Sequence, residues 1–77
     1  MKELSIGDYI IMMKLPKHLQ VTYSNILHVK KADATTISNM TGRARAVESH
    51  YLNTLVTLGL VHRTRKGRIV YFDILRA

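Results

Sequence analysis

Between Thr41 and Val61 the chain carries the pattern that most restricts its possible folds. Ala44, Val47, Tyr51, Leu55 and Leu58 recur at intervals of three, four, four and three, the spacing of one stripe on an α-helix. The opposite face then holds Ala46, Ser49, His50, Asn53 and Thr57, with Arg43 and Arg45 at the entrance. Gly59 follows the last apolar positions, where helices commonly end in the left-handed conformation. An apolar back, a hydrogen-bonding front and arginines at the entrance suit a helix lying in a DNA major groove. An ordinary amphipathic surface helix has the same pattern, so the surrounding chain must decide.

Charge is the first discriminator. Twelve Lys and Arg against five Asp and Glu leave +7, a balance that points to a polyanionic partner, nucleic acid before membrane. The excess is uneven. Residues 1–42 hold five lysines against Glu3, Asp8 and Asp33, a net of +2. Residues 43–77 hold six arginines and Lys66 against Glu48 and Asp73, a net of +5. Arginine suits bidentate contacts to phosphate and guanine, although a charge excess alone also describes a merely well-solvated surface.

Seventy-seven residues without a cysteine make a single domain near the lower size limit for an unstapled core, with no disulfide or thiolate metal site. The longest early apolar run, Tyr9-Ile-Ile-Met-Met13, is too short to span a bilayer. With no signal-peptide pattern, the sequence predicts a cytoplasmic, nucleoid-associated protein with no membrane partner.

Residues 1–14 form an amino-terminal segment. A short helix over residues 5–14 is expected, with Ser5 and Asp8 approximating a capping box, though Gly7 and the isoleucines leave a strand open. Ile6, Tyr9, Ile10 and Met13 would share one face while Ile11 and Met12 point elsewhere. Such a segment is either core packing or a self-association surface. Pro16 suits the first position of the next helix, which Leu19, Tyr23, Ile26 and Leu27 carry to about Val29. Lys30 and Lys31 favour its carboxyl end. Ala32-Asp33-Ala34 breaks the pattern, and Asp33 is a good N-cap for a third helix through Met40, with Ile37 and Met40 facing inward. Thr41-Gly42 then gives a tight turn into the long helix, expected at about 43–58, a helix-turn-helix order. After Gly59, residues 60–64 and 69–74 favour strand around Arg65-Lys66-Gly67-Arg68, where Gly67 allows a hairpin turn. Alternation puts Val70, Phe72 and Ile74 on one face of this hairpin and Ile69, Tyr71 and Asp73 on the other.

Taken together, the run Ile37-Ser-Asn-Met-Thr-Gly42, then Ser49-His50-Tyr51-Leu52 and Leu55 leading to Gly59-Leu60-Val61 and a basic hairpin, resembles the winged helix-turn-helix of MarR- and ArsR-type regulators. The size is similar to that of short regulators carried by archaeal plasmids and viruses. The resemblance spans residues 16–74 and implies an α+β, mainly α domain: an amino-terminal helical segment, a helical core over residues 16–58 and a β-hairpin wing over residues 60–74. It further implies that the helix from Arg43 to Leu58 enters the major groove, and that the wing tip lies on the backbone or in the minor groove. Two positions depart from it. Relatives carry apolar residues where this chain has Arg43 and Glu48, and Glu48 falls on the side that should be buried. A buried carboxylate needs a partner, for which Arg43, Arg45 or a lysine can serve; a rolled helix would instead offer Glu48 to a cytosine N4. The long carboxyl-terminal dimerisation helix of many such regulators has no counterpart before Ala77, which leaves the amino-terminal segment as the expected dimer contact.

Catalytic patterns are not seen. His18, His28, His50 and His62 lack metal-site spacing, and the four glycines stand apart. Ser49 and His50 are adjacent on a helix and point apart. Met12, Met13 and Met40 read as core filler, as do Tyr23, Tyr51, Tyr71 and Phe72. The sequence therefore predicts a non-enzymatic regulator, with no cofactor and no evident small-molecule effector, that binds double-stranded DNA as a homodimer. Phosphate contacts are expected from Arg43, Arg45, Arg63, Arg65, Lys66 and Arg68, and base contacts from Arg45, Ala46, Ser49, His50 and Asn53, with Asn53 suited to adenine and Arg45 to guanine. A protein-docking winged helix and a non-specific architectural DNA binder are the alternatives.

Overall fold

The computed structural model describes residues 6–74; the expected Ser5 cap lies outside them. Helix α1, Ile6–Met13, precedes α2, Lys17–Val29. A three-residue strand β1, Lys31–Asp33, leads into α3, Ala34–Thr41, and α4, Arg45–Thr57. Strands β2, Val61–Lys66, and β3, Ile69–Ile74, follow. The sheet is antiparallel with order β1-β3-β2. This is a winged helix-turn-helix, with α2, α3 and α4 as the helical core and β2–β3 as the wing.

Local chemistry sets the boundaries. Pro16 is the cap of α2 rather than its first helical residue, and its carbonyl accepts from Leu19 and Gln20 at 3.0 Å. Helix α2 stops at Lys30, which takes φ 74° while its amide donates to Ile26. The Asp33 side chain caps α3 by accepting from the Thr36 amide at 2.9 Å and the Thr36 hydroxyl at 2.7 Å. Those donors, the hydroxyl first, hold the Asp33 carboxyl below its ordinary pKa, and Arg45 adds a smaller attraction. Gly42 closes α3 at φ 78°, a backbone conformation that costs glycine nothing and an L side chain about 1 kcal/mol or more. Helix α4 ends as expected at Gly59: its amide bonds to Val56 and that of Leu60 to Leu55, both at 3.0 Å, the paired bonds of a Schellman motif. Gly67 takes φ 62° in the two-residue turn of the wing, whose β2 runs two residues further than the sequence predicts.

The core gathers Leu19, Tyr23, Ile26 and Leu27 of α2 with Ile37 of α3, Leu52 and Leu55 of α4, and Ala32, Val61 and Phe72 of the sheet. Burying a side chain such as Phe72 or Leu55 is worth about 1.5–3 kcal/mol. The wing is thereby anchored to the helices, with Val70, Phe72 and Ile74 on its inner face, as the alternation predicts.

Three expectations are corrected. Strand β1 is absent from the sequence reading; Ala32 pairs with Phe72 forty residues away, and three residues show no alternation to detect. Met40 and Met13 are exposed rather than core filler, because α3 turns only Ile37 fully into the core and α1 packs Met12 there instead of Met13. On α4, Ala44, Val47 and Leu58 are exposed, whereas Glu48, Leu52 and Leu55 are buried. The helix is rolled toward Glu48 because polar partners wait for that carboxylate, so the apolar stripe marks the buried side only approximately.

Helix α1 packs Ile11 and Met12 against the core and leaves the other side bare. Ile6 is 79% and Met13 80% exposed, with Tyr9 and Ile10 exposed beside them.

Candidate nucleic-acid interface

The position of α4 depends on one buried acid. Glu48 has 0% exposure. The Thr22 hydroxyl of α2 donates to its Oε1 at 2.6 Å and the Thr41 hydroxyl of α3 to its Oε2 at 2.6 Å. Arg43 Nη1 lies 3.4 Å from Oε2 and also donates to the His18 carbonyl at 3.1 Å. The carboxylate thus joins all three helices of the core, with a cation to neutralise it and charge-assisted donors on both oxygens. Of the two readings of Glu48, the inward pair is the one observed, and Arg43 is the partner. The turn before α4 is pinned as well: Ser38 Oγ donates to the Arg43 carbonyl at 2.7 Å.

This anchoring turns the polar side of α4 outward. Arg45, Ala46 and His50 are exposed, and Ser49 and Asn53 are half-buried at the edge of a cleft of about 340 Å³ between α4 and the wing. Arg45, Arg63 and Arg68 also line this cleft, against the single acid Asp33, whose Oδ1 accepts both Thr36 bonds. Arg65 and Lys66 extend along the exposed tip, with Arg65 Nε donating to the Gly67 carbonyl at 3.1 Å. Of the ten residues assigned from sequence, Arg45, Ser49, Asn53, Arg63 and Arg68 line this one cleft, while Ala46, His50, Arg65 and Lys66 are exposed outside its lining. Arg43 is the exception: its guanidinium is engaged within the core network and lies 5.3 Å from the centre of the Tyr51 ring.

Six further residues line the cleft without having been assigned to it from sequence: Asp33, Ala34 and Thr35 where β1 meets α3, and Ile69, Val70 and Phe72 of β3. The short turn after α3 ties its end, not its beginning, to the start of α4, so the sequence carried no signal for Thr35 or for Ile69. Among the described residues no three His, Cys, Asp or Glu side chains come together as a metal site, and no helix is long and apolar enough to cross a membrane.

Comparison with solved structures places this arrangement in a known class. The AntR antimony-specific transcriptional repressor superposes with a TM-score of 0.73 at 13% identity, covering 99% of this chain and 76% of that one. A MarR family protein from Bacillus stearothermophilus gives 0.73 at 18% identity, covering 91% of this chain and 51% of that one. The homodimeric winged helix-turn-helix DNA-binding domain of a possible ArsR-family regulator from Mycobacterium bovis gives 0.65 at 22% identity over 96% and 75%. The fold is therefore the winged helix-turn-helix found in MarR- and ArsR-type regulators. No family model matches the chain. It is 38% identical over 63 residues to an uncharacterised protein of Archaeoglobus fulgidus, covering 82% of this chain and 85% of that protein, and it belongs to one family with that archaeal protein.

Proposed function

We propose that this protein is a sequence-specific double-stranded DNA-binding transcriptional regulator that represses by occupying a promoter. The observation that carries the reading is the cleft side of the molecule, where the polar face of α4 and three arginines converge on a helix held in place by Glu48. In this reading Ala46, Ser49, His50 and Asn53 meet base edges in the major groove, Arg45 meets guanine or phosphate, and Arg63, Arg65, Lys66 and Arg68 meet the backbone. Arg43 contributes charge from behind the helix while serving Glu48. The regulators and DNA-binding domain that share the fold support the assignment. Occupancy alone suffices for repression, without catalysis, cofactor or effector, and such a protein would work at the nucleoid.

Selection of bound fragments from random duplex DNA at two salt concentrations tests this. A sharp motif is expected. Salt-sensitive binding without a motif would make the protein an architectural binder, and no binding would favour a protein-docking winged helix.

The regulator acts as a homodimer in this reading, joined through α1. Its bare face of Ile6, Tyr9, Ile10 and Met13 includes no lysine or arginine in a chain of net charge +7, so two copies approach there with the least repulsion. A two-fold dimer favours an inverted repeat with half-sites near one helical turn apart. Sedimentation should give a dimer for the native chain and a monomer for Ile10→Glu with Met13→Glu, whose changes fall on exposed positions and leave the melt intact. A native chain that is monomeric at DNA-binding concentrations removes the dimer from the proposal.

A further inference from the structure

Arg63 and Asn53, assigned from sequence to separate tasks, are in contact. Arg63 Nη1 on β2 donates to Asn53 Oδ1 on α4 at 2.9 Å, and Asn53 Nδ2 donates to the Ser49 carbonyl at 2.9 Å. We infer that Arg63 is a positioning residue for base recognition, setting the orientation in which the Asn53 amide meets a base pair. The inference rests on the DNA-binding reading above.

The argument is a count of hydrogen-bonding positions. A primary amide has two N–H donors and two acceptor lone pairs. Ser49 occupies one donor and Arg63 one lone pair. One donor and one acceptor remain, the combination that adenine N7 and N6–H require. The flipped amide is excluded at both ends. It would turn NH₂ toward the guanidinium, donor against donor, and turn Oδ1 toward the Ser49 carbonyl, acceptor against acceptor. Arg63 and Ser49 together leave one orientation, so less conformational freedom is lost when the base is bound. Arg63 retains further N–H donors on its guanidinium, so the same side chain can still meet a phosphate. The root of the wing then affects which sequence is read, as well as how tightly the backbone is held.

The test uses the full chain and its selected duplex. Asn53→Ala first identifies the base pair that Asn53 reads, with discrimination there falling about five- to 160-fold. Arg63→Ala should relax discrimination at that same base pair by at least about threefold. The double variant should be no less selective than Asn53→Ala alone, because the two act through one contact. Arg63→Lys, which keeps the charge but replaces the planar fork, should lose discrimination while retaining the salt dependence. Arg65→Ala should weaken all duplexes alike and leave discrimination intact. Without DNA, the side-chain amide resonances of Asn53 should shift in Arg63→Ala. If they do not shift, or if Arg63→Ala weakens every duplex equally with discrimination preserved, the inference is overturned and the DNA-binding reading stands. A native chain that binds DNA with no preferred sequence overturns the inference together with sequence specificity; one that binds no DNA overturns the function itself.

Discussion

Replacing Glu48 by Ala should destabilise the protein by about 3–5 kcal/mol, the usual cost of breaking a buried ion pair from one side. Several losses combine at this position. The Thr22 and Thr41 hydroxyls lose their acceptor, Arg43 loses its counter-charge, and a cavity opens where side-chain exposure is 0%. At this chain length each kcal/mol corresponds to about 4–8 °C in Tm, so the melt should move far beyond experimental scatter. Glu48→Gln keeps the shape and one acceptor and should cost less, about 1–3 kcal/mol. Glu48→Leu combined with Thr22→Val removes the acid and its most buried donor together. That pair should recover most of the loss, because apolar replacement of a buried polar cluster is often neutral or better. The motif selected from random DNA should be the same for Glu48→Gln as for the native chain. An unchanged melt for Glu48→Ala, or an altered motif for Glu48→Gln with native stability, would refute this account of how α4 is held.

Neutralising Arg65, Lys66 and Arg68 together should give the largest change in binding. All three are exposed on the wing and have no acidic partner among the ion pairs of the described residues. If each meets one phosphate, the slope of log affinity against log salt falls by about 0.9 per contact, or about 2.7 in all. Between about 50 and 200 mM salt the native protein would then lose roughly forty times more affinity than the variant. Preferred and scrambled duplexes should weaken by similar factors, since phosphate contacts carry no sequence information. Titrations of both duplexes at four salt concentrations measure this. A variant that retains the native slope would place the wing away from DNA.

Much of this architecture is legible in the residues, for identifiable reasons. Asp33, Gly42, Gly59 and Gly67 mark element ends through local backbone chemistry, which sequence exposes directly. The alternation of Val70, Phe72 and Ile74 gives the inner face of the wing for the same reason. The roll of α4 is different in kind. Val47 and Leu58 look like core from their spacing, yet the helix orientation is settled by Thr22 and Thr41, hydroxyls on other elements that no helical projection includes. Strand β1 is hidden likewise, since its identity lies in pairing with β3 rather than in Lys31, Ala32 or Asp33. The contact between Arg63 and Asn53 also spans two elements, and pattern alone assigned each residue a separate role.

The sheet order leaves β2 as an outer edge, with main-chain donors and acceptors available to any extended strand that comes alongside. Such edges are where folded proteins begin to aggregate, and charged side chains are a common defence. Strand β2 carries Arg63, Arg65 and Lys66 within six residues, so a second molecule bringing the same edge would meet like charge along its whole length. Acidic chains, however, would not be repelled. The cations that suit the wing to a polyanion thus also guard its open flank against self-templated strand addition, and a wing stripped of them should be watched for fibrils or precipitate before any loss of binding is interpreted.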